Sequence, residues 1–269
     1  MAKSIEPPRT PTGALARHVK DRFGMMVSED QMKRFEREID RICGVRGIDD
    51  RADLLRRIRA EPKSELELEV AEAASINHTH FFREREVLQQ LDERVLARVR
   101  PGQPVHLWSA AASSGEEAYS IAMMVRERFP IGAAARILGT DISARVIERA
   151  REGRYTTRRM SHVPQAMRKR YFDVRGDVLH VKDTLQQLCL FRRFNLLSER
   201  WPFRSKFHAI LLRNVLYYFS DKDQARLLER MHHHTHLGGY LFLSVTESIG
   251  HLGTPWQAVA SGVYARGTR

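Results

Sequence analysis

A strand, a tract of small residues and an acidic helix start follow one another between Val105 and Ser120. That order of parts leaves few folds open. Val105 to Trp108 is a short apolar run that predicts a buried strand. Ser109 to Gly115 holds only small side chains, and Glu116 and Glu117 then open an amphipathic pattern with Ile121, Met124 and Val125. An open α/β sheet makes a ligand crevice at its carboxyl edge in this way. Small side chains let a ligand approach the backbone, and a helix start offers N–H groups with no intrahelical partner.

The loop is not a dinucleotide fingerprint, because Gly115 is its only glycine, and it carries no phosphate-loop lysine. Two carboxylates at the helix start repel a phosphate. They suit a cationic or hydroxyl-rich ligand, and S-adenosylmethionine presents an ammonium, a sulfonium and a ribose. Complementing the helix dipole is the other use of such a pair. A second strand is predicted at Arg136–Thr140, ending in Asp141 ahead of a helix that begins near Ser143. An acid at the end of the second strand is where such folds bind ribose hydroxyls. A helix cap is the alternative use of Asp141.

At 269 residues the chain is long enough for one large α/β domain and a smaller one. No apolar run is long enough to span a bilayer, and Met1–Gly13 has no signal-peptide core, so a cytosolic location is expected. Cys43 and Cys189 are too few and too far apart for a disulfide framework or a zinc site. The formal charge of +12 is uneven: residues 145–206 hold 16 basic and 6 acidic side chains. Such asymmetry implies an acidic partner surface, either nucleic acid or protein, unless it is simply a solvated face.

Residues 1–12, with three prolines, are expected to form a flexible leader, and 13–74 a small all-helical domain. Four helices are anticipated there, the last with Leu66, Leu68, Val70 and Ala74 near one face. Residues 75–100 then supply a linker segment and a helix. From 101 to 269 strands and helices alternate, except at about 171–186, where Gly176-Asp177 and Val178–Val181 predict an antiparallel insertion. Asp221–His236 is expected to be one helix, with a strand beginning after Gly238-Gly239. Seven strands of this kind, the last two an antiparallel hairpin, resemble the Rossmann-like α/β methyltransferase sheet more than that of a dehydrogenase.

Six motifs in order carry a more specific resemblance. They are Asn77-x-Thr79-x-Phe81-Phe82-Arg83-Glu84, Trp108 to Glu117, Thr140-Asp141-Ile142, Phe194 to Leu197, Arg213-Asn-Val-Leu-Tyr-Tyr-Phe219 and Glu247-Ser248. Together they resemble the CheR-type chemoreceptor glutamate methyltransferases over roughly residues 13–266. The resemblance implies S-adenosylmethionine as methyl donor, S-adenosylhomocysteine as product, and a glutamate in a receptor's cytoplasmic helical bundle as acceptor. It places Asn77, Thr79 and Arg83 beside the methionine part of the cofactor and Glu117, with Glu116, toward its ammonium. Asp141 falls to the ribose, Asn195 and Leu196 to the adenine, and Asn214 and Val215 to the floor beneath the sulfonium. Arg83 and Tyr218 take the catalytic positions, and Phe81 and Phe82 read as core packing. The chain departs from the family pattern at Ala111, Ala112 and Ala118, each a small residue replacing another small one.

Two rival readings use the same fold: a nucleic-acid methyltransferase with 145–206 tracking phosphates, and a cofactor-binding module without turnover. Base-amino methylation goes with prolines after Asn214, where this chain has Val215-Leu216-Tyr217. No nucleic acid partner, membrane insertion or metal is therefore expected. His232 and His236 are placed on one helical face, but no carboxylate or cysteine pattern completes a metal site.

Overall fold

The computed structural model describes residues 10–62, 64–74, 79–100, 102–129 and 134–267. Two compact units form: Met1–Ile76 with Tyr218–Asp223, and Asn77–Tyr217 with Gln224–Arg269.

The first unit is built on helices α1 (Pro11–Phe23), α2 (Glu29–Arg46), α3 (Arg51–Ala60) and α4 (Glu65–Ala74). Each start has a visible cause. The Thr10 side chain accepts from Gly13 N at 3.1 Å and Pro11 occupies the first turn, where a missing N–H costs nothing. The first helix therefore begins at Pro11, inside the stretch expected to be leader. Ser28 and Gln31 form a capping box on α2, and Asp50 accepts from Asp53 N on α3. Leu15, Val19, Phe35, Ile39, Leu54, Ile58 and Val70 are buried. On α4 the expected face is rotated: Leu66 and Leu68 are half-buried, and Glu67 is fully buried between them. Glu67 can face inward because α1 supplies its partners, His18 Nε2 at 2.8 Å and Arg22 Nε at 3.1 Å.

The second unit opens with α5 (Arg85–Arg94), followed by β1 (Val105–Ala110), α6 (Glu116–Arg128), β2 (Ala135–Asp141) and α7 (Ala144–Glu152). Next come β3 (Arg154–Thr156), α8 (Gln165–Tyr171), β4 (Phe172–Arg175), β5 (Val178–Val181) and α9 (Asp183–Gln186). The rest is β6 (Cys189–Arg193), β7 (Phe207–Leu211), α10 (Asp221–His233, whose first three residues group with the first unit), β8 (Thr235–Phe242), β9 (Gln257–Ala260) and β10 (Val263–Ala265). Seven strands make one sheet in the order β6-β2-β1-β7-β8-β10-β9. Its first five strands are parallel and β10 is antiparallel to β8 and β9. This is the expected α/β methyltransferase architecture. Four successive residues of β1, Leu107 to Ala110, are buried, as a parallel strand covered on both faces requires. Trp108 packs its ring against Trp201, Phe203 and Phe207 and donates from Nε1 to Thr140 at 2.9 Å.

A separate three-stranded antiparallel sheet, β3-β5-β4, contains the anticipated insertion and also recruits Arg154–Thr156. One boundary differs from expectation. Helix α10 stops at His233, and β8 begins at Thr235 and runs through Gly238-Gly239. A Cβ on Gly239 would meet the carbonyl oxygens of His208 and His236 at 2.9 Å. The glycine pair is an irregularity within a strand, where the β7–β8 register also shifts. His236 consequently lies in the sheet, its ring 4.4 Å from that of His208, and shares no helical face with His232.

Candidate active site

The chain passes from β1 to β2 to β6 on one side and to β7 and β8 on the other. Strand order therefore reverses between β1 and β7, where ligand crevices open at the carboxyl ends of strands. The β1–α6 loop, Asp141, the segment after β6 and the segment after β7 all leave the sheet along that edge.

The β1–α6 loop is held in an unusual backbone path. Ala111, Ser113 and Gly115 have φ of 69°, 48° and 94°. Non-glycine residues pay strain in this region, and such strain collects at functional sites. Gly115 has no substitute: a Cβ there would meet Ala150 Cβ at 2.9 Å and the Tyr155 hydroxyl at 3.0 Å. Asp141 fixes the loop from the end of β2. Its Oδ2 accepts from Ser113 N at 2.9 Å and its Oδ1 from Ser143 N at 3.0 Å. Ser143, whose Oγ accepts from Val146 N, is the cap of α7, so helix capping does not account for Asp141.

Glu116 and Glu117 have separated fates. Glu116 is fully buried and accepts from Ser114 Oγ at 2.8 Å and from Arg159 Nη1. Burial pushes its carboxyl above the ordinary range despite those partners. Its side chain has no exposed surface. Glu117 sits at the reversal point, where Oε1 accepts from Ser109 Oγ at 2.6 Å and Oε2 from Arg213 Nη1 at 3.0 Å.

Arg213 also lies 3.3 Å from Glu84 Oε2 and donates to the Arg83 carbonyl. Glu84 accepts further from Ser244 Oγ at 2.9 Å, Val245 N at 3.2 Å and Asn214 Nδ2 at 3.3 Å. Burial opposes its charge, but Arg213 and these donors outweigh burial and hold the carboxyl below the usual range. Beyond β7, Asn214 is left-handed with φ of 58°. Glu247 secures that turn by accepting from the amides of Asn214, Val215, Leu216 and Ser244 at 2.9–3.0 Å. Burial leaves Glu247 with a raised pKa even against four amide donors.

Of the residues anticipated from sequence, Glu117, Asp141, Asn195, Leu196, Asn214 and Val215 all lie on this edge. The Asn195 side-chain oxygen accepts from Leu197 N at 2.9 Å, forming a local turn that exposes little of Leu196. Thr79 is half-buried, and Arg83 has its Nε 3.8 Å from Glu84. Asn77 lies outside the described residues. Tyr218 ends a short 3-10 helix, Leu216–Tyr218, is buried, and groups with the helical unit, where its carbonyl accepts from Met26 N at 2.7 Å. Phe81 packs edge-to-face on Tyr155 and Phe172 as core. Arg213, Glu84 and Glu247 were given no role from sequence. The signal for Arg213 is a cation closing the apolar run Phe207–Leu212, where an unpaired charge could not be buried.

The donor set has a definite chemistry. Two carboxylates, Glu117 and Asp141, terminate neighbouring parts of one edge, and the buried Ser113 hydroxyl has no partner among the described residues. These residues fit a ligand with an ammonium at one end and hydroxyls at the other, as S-adenosylmethionine has, and not a polyphosphate.

Residues 77–264 match the family model described as the CheR methyltransferase, SAM binding domain. The chain belongs to the CheR methyltransferase family. It is similar, at 30% identity over 245 residues and 87% of each chain, to a chemotaxis protein methyltransferase of Borreliella burgdorferi. A chemotaxis protein methyltransferase of Pseudomonas putida is 32% identical over 88% of this chain and 89% of its own. One from Vibrio parahaemolyticus is 36% identical over 74% of each. As a CheR-family protein this chain is a methyltransferase with an S-adenosylmethionine-binding domain. No helix among its described residues is long and apolar enough to cross a membrane.

Proposed function

We propose that this protein transfers a methyl group from S-adenosylmethionine to glutamate carboxylates of a chemoreceptor, giving methyl esters and S-adenosylhomocysteine. The observation that supports it is the likeness, across 87% of both chains, to a relative named for chemotaxis methylation. The cofactor supplies an electrophilic methyl on a sulfonium; everything else falls to the chain. A receptor glutamate, with a reference pKa of about 4.3, is already ionised at neutral pH and needs no general base. The protein's task is alignment and the removal of water from the nucleophile.

In this reading Glu117 takes the ammonium, Asp141 the ribose hydroxyls, and Asn195 with Leu196 the adenine. Asn214 and Val215 form the floor, kept in place by Glu247. Thr79 and Asn77 border the methionine part. Arg83 orients a carboxylate by a charge-assisted bond, and Tyr218 positions the acceptor. The acceptor segment belongs to the receptor's acidic cytoplasmic helices, and the reaction is cytoplasmic. Labelled cofactor offered in parallel to receptor, RNA and DNA tests this. Label is expected in a base-labile ester on receptor; label in a nucleic acid instead would overturn the reading.

A further inference from the structure

Three charged side chains meet where strand order reverses. The Arg213 side chain is 3% exposed, lies 3.0 Å from Glu117 and 3.3 Å from Glu84, and its Nε is buried with no partner among the described residues. A guanidinium is planar and always charged, so it works here as a rigid fork between two carboxylates. It ties the start of α6 to the segment ahead of α5.

Glu117 is fixed from both ends, by Ser109 on Oε1 and Arg213 on Oε2. Each carboxylate oxygen offers two acceptor positions, so one on each remains beyond these bonds. We propose that Arg213 is the positioning residue of the cofactor site, holding the Glu117 carboxylate in one orientation so that it receives the primary ammonium of the ligand. This rests on the role given to Glu117 above. Arg213 itself is too enclosed to take the ligand's carboxylate. Without it, Glu117 loses the bond that fixes Oε2 and keeps only the Ser109 bond on Oε1, about which the carboxylate can turn.

The test compares two small ligands by calorimetry on the full chain. S-adenosylhomocysteine carries the ammonium; 5′-methylthioadenosine keeps the adenosine and thioether but lacks the amino-acid end. In Arg213→Gln, affinity for the first is expected to fall tenfold or more, with that for the second within twofold of wild type. Arg213→Lys keeps the charge but cannot fork between both carboxylates, so it should lose part of the affinity for S-adenosylhomocysteine alone. It carries the test if the glutamine variant does not fold. A loss below threefold in Arg213→Gln, equal losses for both ligands, or wild-type affinity in Arg213→Lys would each overturn the proposal. Failure of the folded wild type to bind S-adenosylhomocysteine would instead overturn the cofactor assignment beneath it.

Discussion

Arg159 donates through Nη1 to the Glu116 carboxylate, and the Glu116 side chain has no exposed surface. Arg159 belongs to the basic stretch 145–206, yet its charge is committed to the start of α6. Reversing it would set one carboxylate against another that is buried. Arg159 is 42% exposed, so the loss lies between the ~1 kcal/mol of a surface pair and the ~3–5 kcal/mol of breaking a buried one. Arg159→Glu is expected to lower stability by about 2 kcal/mol in urea unfolding, and Arg158→Glu to leave it unchanged. Equal stability of the two variants would show that Glu116 does not depend on Arg159.

Asp141 has a task in the fold, and the proposed function gives it a second in binding. Its oxygens accept from Ser113 N and Ser143 N, and the cofactor reading adds ribose hydroxyls. Hydrogen bonds to a charged group are worth roughly 1.5–3 kcal/mol. Asp141→Ala should weaken S-adenosylhomocysteine by about that amount in calorimetry and also lower the melting temperature. Asp141→Asn, which keeps one carbonyl acceptor, should lose less of both. Unchanged affinity in a folded Asp141→Ala protein would remove Asp141 from the site.

How much of this was legible in the sequence depended on whether the determinant was local. The β1–α6 loop could be read because small residues and a helix start sit side by side, and the parallel sheet followed from apolar runs alternating with amphipathic ones. The inward turn of Glu67 could not be read, because its partners His18 and Arg22 lie 49 and 45 residues away. The division of labour between Glu116 and Glu117 was hidden for the same reason. Adjacent in sequence, they point to Arg159 and Arg213, and only the fold decides which of them stays at the crevice. Gly238-Gly239 misled locally, since a glycine pair serves a turn or a strand irregularity equally well.

Glu84 has a folded pKa lowered below its ordinary value by Arg213 and its donors, against burial. Its contribution to stability is therefore present above the unfolded value of about 4.3 and is lost as pH falls through the folded value. Glu84→Gln should be less stable than wild type at pH 7, and the gap should narrow on acidification below about pH 4. Urea midpoints at a series of pH values give the comparison. A gap that widens at low pH would contradict the lowered pKa.

Arg83 and Tyr218 are expected to serve transfer more than cofactor binding. Arg83→Ala and Tyr218→Phe should lower kcat at saturating cofactor and receptor, with S-adenosylhomocysteine affinity changed much less. Near-normal turnover in either variant would withdraw its role.

The remaining basic surface is expected to recognise an acidic protein helix. Residues 145–206 carry most of the excess positive charge. Several of these cations serve the fold: Arg159 holds Glu116, Arg151 donates to the Phe191 carbonyl, and Arg193 to that of Ile142. Arg158, Lys169 and Arg175 are exposed and can act on a partner's field. On the proposed function the acceptor segment bears glutamates, so complementary potentials would steer encounter. At an ionic strength of about 0.15 M the screening length is ~8 Å and each exposed pair is worth at most about 1 kcal/mol. The effect must therefore come from several residues together. Reversing the charge at Arg158, Lys169 and Arg175 jointly should raise the KM for receptor and leave S-adenosylhomocysteine affinity unchanged, and added salt should impose the same rise on the wild type. A nucleic-acid enzyme would instead bind RNA or DNA with a steep salt dependence, and that result without receptor methylation would assign the basic surface to phosphate.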